Sequence, residues 1–231
     1  MNSDLQNGAL AGAVAACDAI GAAMLTRLTS RLGEDSGASG NVLACPVGLA
    51  LALATLRAGA ADNGTGIDAM LGVDTDAKTR DRVWSAVQRS LRRFDVADAQ
   101  QLRDFDPEAI PEAPLLHIAN NILAIGDKTV INQEYLDSAK RWYASDLGRV
   151  PVDDAKAALD AWANLHTGGL IKESGIDIDP SMRLVAQNAL LFAARWAKHF
   201  NAAATAERQP FTRADGSTSH ADLMSRTGHF T

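Results

Sequence analysis

One stretch decides the fold of this chain: Arg183-Leu-Val-Ala-Gln-Asn-Ala-Leu-Leu-Phe-Ala-Ala-Arg-Trp-Ala-Lys-His-Phe200. Its first part is a nearly continuous apolar run, which is typical of a strand buried in a sheet. Trp196 and Phe200 follow, and we expect these rings to anchor the turn after the strand. Asn188 lies inside the run, and a buried amide needs hydrogen-bond partners. The stretch therefore predicts a core strand over residues 182–193 whose asparagine ties neighbouring strands together.

Helix and strand patterns alternate through the rest of the chain. Apolar residues at helical spacing predict helices over 47–58, 67–71, 77–94, 132–143 and 153–167, with Pro46 opening the first of them. Short apolar runs predict strands over 41–45, 115–125 and 146–152, with weaker candidates near 208–211 and 219–224. Prolines and acidic residues make 95–114 an exposed connection. No internal repeat, low-complexity tract or domain boundary interrupts this order.

An apolar stretch that begins at Gly8 predicts one more helix before these elements. Its larger apolar residues fall near a helical period and predict an amphipathic helix: Leu10, Val14, Cys17, Met24, Leu25, Leu28 and Leu32. No signal peptide is evident, because residues 1–7 lack the positive charge that such a peptide carries. Asp18 interrupts the apolar run, which argues against membrane insertion. We expect residues 1–7 to be disordered and no segment to cross a membrane.

Charge and cysteine content restrict the class of partner. The formal net charge is -6 at pH 7 and the sequence pI is about 5.3. Non-specific binders of nucleic acid or anionic membranes need a cationic field, so we expect neither partner. Cys17 and Cys45 are too few for a disulfide framework and lie in apolar stretches. We therefore interpret them as buried free thiols.

The sequence contains no motif that supports catalysis. A Gly-x-Ser-x-Gly elbow is missing, and the glycine-containing segment 59–65 lacks the lysine of a phosphate loop. The histidines are widely separated: His117, His166, His199, His220 and His229. None has a Glu or Cys at zinc-ligand spacing, so we interpret each as a surface or strand-end residue. We expect no enzyme activity, metal or cofactor.

Three signatures in a fixed order resemble one known family, the serpins or serine protease inhibitors. The first, Asn41-Val-Leu-Ala-Cys-Pro-Val-Gly-Leu-Ala-Leu-Ala-Leu53, is similar to the family's Asn-x-x-x-Ser-Pro-x-Ser-x-x-x-Ala-Leu element. The second, Trp162-Ala-Asn-Leu-His-Thr-Gly-Gly-Leu-Ile171, resembles its Trp-x-x-x-x-Thr-x-Gly-x-Ile. The third is the opening stretch, with Asn188, Trp196 and Phe200 in serpin register. The resemblance covers about residues 8–230.

The resemblance implies an α+β serpin fold in which N-terminal helices pack on a partial central antiparallel or mixed sheet. Residues 8–231 would form an incomplete serpin domain, the N-terminal part of the full one. Positions near the place where that sheet opens match Asn41, Cys45, Pro46, Gly48, Asn188 and Trp196. Cys45 and Gly48 stand where the family has serines, and a thiol is a weak donor while glycine has no side-chain donor. We therefore expect a weaker closed-sheet network here, and we expect Trp196 to be a packing anchor.

The function that the resemblance implies is inhibition by loop insertion. A protease cleaves an exposed reactive loop, which then enters the central sheet as a new strand and carries the acylated protease with it. The family's reactive loop lies beyond the position matched by Phe230. We therefore expect the reactive site to be absent from this chain and the chain alone to be non-inhibitory. Serine proteases are the implied partners of an intact family member.

Strand 182–193 is also expected to present an open hydrophobic edge, which predicts self-association and poor solubility. The alternative hypothesis is a non-inhibitory binding or oligomerising module derived from a serpin. Members of the family are often extracellular, although no export signal is evident in this sequence.

Overall fold

A computed structural model describes residues 3–34, 42–60, 64–72, 76–95, 98–213 and 215–228. The helices are α1 (Ser3–Glu34), α2 (Pro46–Gly59), α3 (Thr65–Leu71), α4 (Ala77–Arg92), α5 (Ala99–Arg103), α6 (Gln133–Tyr143) and α7 (Ala155–His166). The strands are β1 (Leu115–Ile125), β2 (Asp146–Val150), β3 (Leu184–Ala193), β4 (Ala206–Thr212) and β5 (Thr218–Leu223). Helix α1 begins within the segment 1–7 for which the sequence predicts disorder.

The central sheet has three strands in the order β2-β1-β3. β1 runs parallel to β2 and antiparallel to β3, with Leu115 opposite Ala193 and Ala124 opposite Leu184. β4 and β5 form a separate antiparallel pair. β3 therefore lies at an edge of the central sheet within the described residues, and the expected α+β class with a mixed sheet is confirmed.

The two faces of the sheet carry different layers. Ile118 of β1 and Leu190 of β3 pack into a cluster with α1, α2 and α4, in which Trp84 is fully buried. On the opposite face Leu191 of β3 packs with Leu102 of α5. Because successive side chains of a strand point to opposite faces, both faces of β1 and β3 are covered by helices.

Paired charged side chains connect α2, α3, α4 and α6 to one another. Arg57 of α2 donates from Nε to Asp68 of α3 at 2.9 Å, and this hydrogen bond holds the pKa of Asp68 below its ordinary value. Arg80 of α4 contacts the same carboxylate at 3.3 Å. The Tyr143 hydroxyl of α6 donates to Asp81 at 2.9 Å, and burial raises the pKa of both groups. Because each of these charged side chains has a partner, the four helices can pack together around them.

The predicted strand over 41–45 is wrong for the residues that are described. Residues 42–45 have no regular structure, and the Leu43 side chain is 92% exposed. No described strand pairs with this segment, so its backbone joins no ladder. Pro46 does begin α2, as predicted, at a position where its missing N–H costs nothing.

The predicted apolar face of α1 is wrong in part. Cys17 and Met24 pack against the core as predicted, whereas Val14 is 54% exposed. The described residues that α1 buries are Ala13, Ala16, Ile20 and Gly21. Small residues occupy the buried face because α1 approaches its neighbours closely. A Cβ added at Gly12 would lie 2.6 Å from the carbonyl oxygen of Gly72. Larger side chains on that face would hold the helices apart.

One segment of α1, Gly8–Ser30, is long and apolar enough to span a membrane by length and composition. Core helices can meet the same criterion. Ala13 and Ala16 of this segment are packed in the cluster with α2 and α4.

The connection 95–114 contains a helix that the sequence analysis missed. Asp98 accepts hydrogen bonds from the backbone N–H groups of Gln100 and Gln101, and the Gln101 side chain accepts from the backbone of Asp98. This capping box starts α5 and turns Leu102 into the core. The signal, Asp-x-x-Gln before a leucine, is present in the sequence.

Replacing Asp98 with alanine is expected to lower the free energy of unfolding by about 1 kcal/mol, because two backbone donors lose their acceptor. Urea unfolding followed by circular dichroism measures the change. Glu112→Ala is the matched control, since it removes an exposed acid from the same connection. Equal stability losses in the two variants would contradict the assigned cap.

Candidate functional site

A layer of buried amides crosses the middle of the sheet. Asn120 of β1 donates to the carbonyl oxygen of Tyr143 at 2.8 Å and to Oε1 of Gln88 at 3.2 Å. Its own Oδ1 accepts from Nδ2 of Asn188 at 2.9 Å. Asn188 also donates to the Ala119 carbonyl at 3.1 Å. The amide of Asn188 therefore ties β3 to the neighbouring strand β1, as the sequence predicts. Through Asn120 it is also connected to α4 and α6.

A second amide pair lies on the opposite face, one residue along each strand. Asn121 donates to Oε1 of Gln187 at 3.0 Å. Gln187 in turn donates to the Leu159 carbonyl of α7 at 3.2 Å. Since β1 places Asn120 opposite Asn188 and Asn121 opposite Gln187, the two pairs form one polar layer through the sheet. We call these residues with Gln88 the amide layer.

The start of α2 lies directly against the amide layer. A Cβ added at Gly48 would lie 2.5 Å from Oδ1 of Asn188 and 3.0 Å from Sγ of Cys45. Cys45 makes no side-chain capping hydrogen bond to α2. The described side-chain bonds of Asn188 run to β1. The expectation that Cys45 and Gly48 weaken the closed-sheet network stays a prediction.

A groove of about 430 Å³ follows the free edge of β3. Gly48 and Leu49 of α2 line one side, and Trp162 and Ile171 line the other. The Ile125 N–H donates to the Arg183 carbonyl, so Arg183 and every second residue after it in β3 face β1 with their backbone N–H and C=O groups. The backbone N–H and C=O groups of Ala186, Asn188 and Leu190 therefore point away from β1. Such an edge can accept another strand through main-chain hydrogen bonds.

Of the predicted site positions that the structure describes, Asn188 belongs to the amide layer and Gly48 lies against it. Asn41 lies outside the described residues. Trp196 is 69% exposed and contacts Phe200 edge-on, with ring centroids 6.0 Å apart. The two rings therefore meet in the turn after β3, as expected, while most of the Trp196 side chain stays exposed.

The interpretation of all histidines as surface or strand-end residues is wrong for His117. This residue is 8% exposed, and its ring contacts both Asp95 and His166. Sequence reasoning missed the pair because the two histidines are far apart in the chain. The period-two pattern of β1 gives part of the signal, since it places His117 on the face covered by α7. The described residues contain no group of side chains suited to hold a metal ion.

Comparison with known proteins identifies the family. The sequence model described as Serpin (serine protease inhibitor) matches residues 22–231. A leukocyte elastase inhibitor of Xenopus laevis is 29% identical over 191 residues, which cover 77% of this chain and 44% of the relative. A putative serpin-Z8 of Oryza sativa subsp. japonica is 29% identical over 86% of this chain and 45% of its own length. The chain thus spans less than half the length of these relatives.

Solved structures agree in fold. A thermophilic serpin, tengpin, in the latent state superposes with a TM-score of 0.68 at 18% identity, covering 97% of this chain and 53% of that one. A cleaved serpin 42Da superposes with a TM-score of 0.69 at 20% identity, covering 95% and 53%. Two helical layers, a mixed central sheet and the matched residues 22–231 lead to one conclusion: the chain belongs to the serpin family.

Proposed function

We propose that this chain is the strand-accepting portion of a serpin-type serine protease inhibitor, that it is not an enzyme, and that residues 1–231 alone do not inhibit. The observation that carries the proposal is the free edge of β3 within the groove between α2 and α7. The amide layer lies at the middle of this edge, where an added strand would pass Asn188. We assign the structural role in sheet opening to Gly48, Cys45 and Asn188.

The packing around the edge supports acceptance of an extended segment. Gly48 leaves room beside Asn188, where any larger side chain would collide. The groove wall is mostly apolar, so an incoming strand gains burial as well as main-chain hydrogen bonds. Loop insertion in an inhibitor uses the same two contributions, apolar burial and main-chain hydrogen bonds. Protease targets belong to the whole inhibitor and are proposed here only as a class.

The inhibition half of the proposal is tested by incubating the chain with leukocyte elastase or chymotrypsin and separating the products by denaturing electrophoresis. We expect fragments of the chain and no protease-linked band. A covalent complex that survives denaturation would contradict the proposal.

The proposal that the β3 edge accepts an added strand is tested with a short acetylated peptide of alternating threonine and alanine. This peptide should raise the melting temperature of the chain. Ala186→Pro is the matched control, because it removes one donor from the open edge and leaves the β1–β3 ladder intact. We expect the variant to fold and to lose the response. An equal response in both proteins would exclude the β3 edge as the acceptor.

Self-association through the same edge is a second candidate. β3 is an edge strand with exposed backbone groups, and unpaired edges favour pairing between copies. One serpin whose structure is similar, at a TM-score of 0.66, is described as a loop C-sheet serpin polymer. Sedimentation velocity should show concentration-dependent oligomers that Ala186→Pro reduces; a monomer at all concentrations would exclude this candidate.

A further inference from the structure

Two histidines meet on the sheet face covered by α7, with a carboxylate at each end. Both carboxylate oxygens of Asp95 lie close to Nδ1 of His117, at 2.9 and 3.0 Å. Nε2 of His117 lies 3.0 Å from Nδ1 of His166, and the two ring planes are within 10° of parallel with centroids 5.3 Å apart. Nε2 of His166 lies 3.5 Å from Oδ2 of Asp146. We call these four side chains the histidine clamp.

Hydrogen-bond chemistry sets the number of protons that this arrangement holds. A carboxylate accepts, so Nδ1 of His117 carries a proton toward Asp95. One further proton lies between the rings, because neither two lone pairs nor two N–H groups can face each other at 3.0 Å. A third proton, on Nε2 of His166, would give Asp146 a donor at 3.5 Å. Three protons on four ring nitrogens would then amount to one positive charge, shared between two carboxylates.

We propose that the histidine clamp is a proton-sensitive latch that holds α7 on the sheet, closed with one positive charge on the histidine pair and opened by a second. A fourth proton would make both histidines cationic, with the Nε2–H of His117 facing the Nδ1–H of His166. The bond between His117 of β1 and His166 of α7 would then break.

The polar surroundings of the clamp come from three elements. Asp95 belongs to the connection after α4, and Asp146 begins β2. In α7, Trp162 donates its indole N–H to Asp146 at 2.8 Å and its ring centroid lies 4.5 Å from that of His166. The hydrogen bond from His166 holds the pKa of Asp146 below its ordinary value, against a partial burial that raises it. Asp146 therefore keeps its charge well below neutral pH and remains a counter-charge while the latch operates.

The other elements packed on this face bring apolar side chains. β3 places Leu191 opposite His117, and α5 contributes Leu102 to the cluster around Leu191. Besides the clamp, two described side-chain bonds link α7 to the sheet: Trp162 to Asp146 of β2 at 2.8 Å and Gln187 of β3 to the Leu159 carbonyl at 3.2 Å. Opening the clamp therefore removes the polar link between α7 and β1 and leaves those to β2 and β3.

The unmodified 231-residue chain gives the first test. Imidazole nitrogen–proton NMR correlations near neutral pH should show three ring protons on the pair, with His117 protonated at Nδ1. Stepwise acidification should add the fourth proton, and the hydrogen-exchange protection factors of the α7 amides should fall about tenfold as it binds. The β1–β3 ladder amides should keep their protection. Constant α7 protection while the fourth proton binds would overturn the latch.

Matched variants separate the latch from a merely structural role. His166→Gln should remove the pH dependence of α7 protection, whereas His199→Gln, at an exposed position outside α7, should retain it. Asp95→Asn keeps an acceptor but removes one counter-charge, so opening should move to lower pH. A pH dependence that persists in His166→Gln would refute the proposal. If that variant does not fold, the NMR and exchange measurements on the unmodified chain decide.

Discussion

Replacing Asn120 with leucine is expected to lower the free energy of unfolding by about 3 kcal/mol. Asn120 is fully buried and joins three elements through its amide. Leucine fills a similar volume, so the loss comes from polar groups rather than from a cavity. Oε1 of Gln88 loses a donor in a buried site, and Nδ2 of Asn188 loses one of its two acceptors. Chemical denaturation followed by tryptophan fluorescence measures the change.

Asn164→Leu provides the control, because Asn164 is an exposed asparagine of α7. Its replacement should change stability by less than about 0.5 kcal/mol. A double-mutant cycle with Asn188→Ala should show a coupling energy of about 1 kcal/mol between Asn120 and Asn188. Additive losses would mean that the two amides do not act as one layer.

Replacing Gly48 with alanine is expected to cost about 2 kcal/mol, although alanine is the better helix former. The new methyl group would lie 2.5 Å from Oδ1 of Asn188. Asn188 must then rotate and give up its bonds to Ala119 and Asn120, since Cys45 blocks a shift on the other side. The displaced side chain would also enter the groove along β3. The variant should therefore respond less to the alternating peptide as well as melt at a lower temperature.

Gly66→Ala is the matched control for this steric effect. Gly66 lies in helix α3, and a Cβ there meets nothing within 4 Å. The substitution should leave stability unchanged or raise it by up to about 1 kcal/mol, as the helix propensities of glycine and alanine indicate. A Gly48→Ala protein as stable as Gly66→Ala would show that α2 and β3 are less tightly packed than the structure has them.

Local sequence signals predicted the elements that carry strong and continuous patterns. The apolar run of β3, Pro46 at the start of α2 and the long strand β1 all lie where the sequence places them. The strand predicted for 41–45 failed because a strand needs a partner, and a five-residue apolar run does not reveal one. Helix α5 was missed because acids on both sides and three prolines after it obscured a short capping box.

Membership of the serpin family and most of the order of helices and strands can be read from the chain, because these follow from ordered motifs and from local periodicity. Which stripe of α1 is buried depends on three-dimensional packing, since an alanine-rich helix is apolar on several sides and close contact at Gly12 selects one. Packing also sets which groups of β1 Asn188 bonds to, and it brings His117 to His166. These contacts join residues far apart in the chain, and their energies depend on distances of a few ångströms that no local pattern encodes.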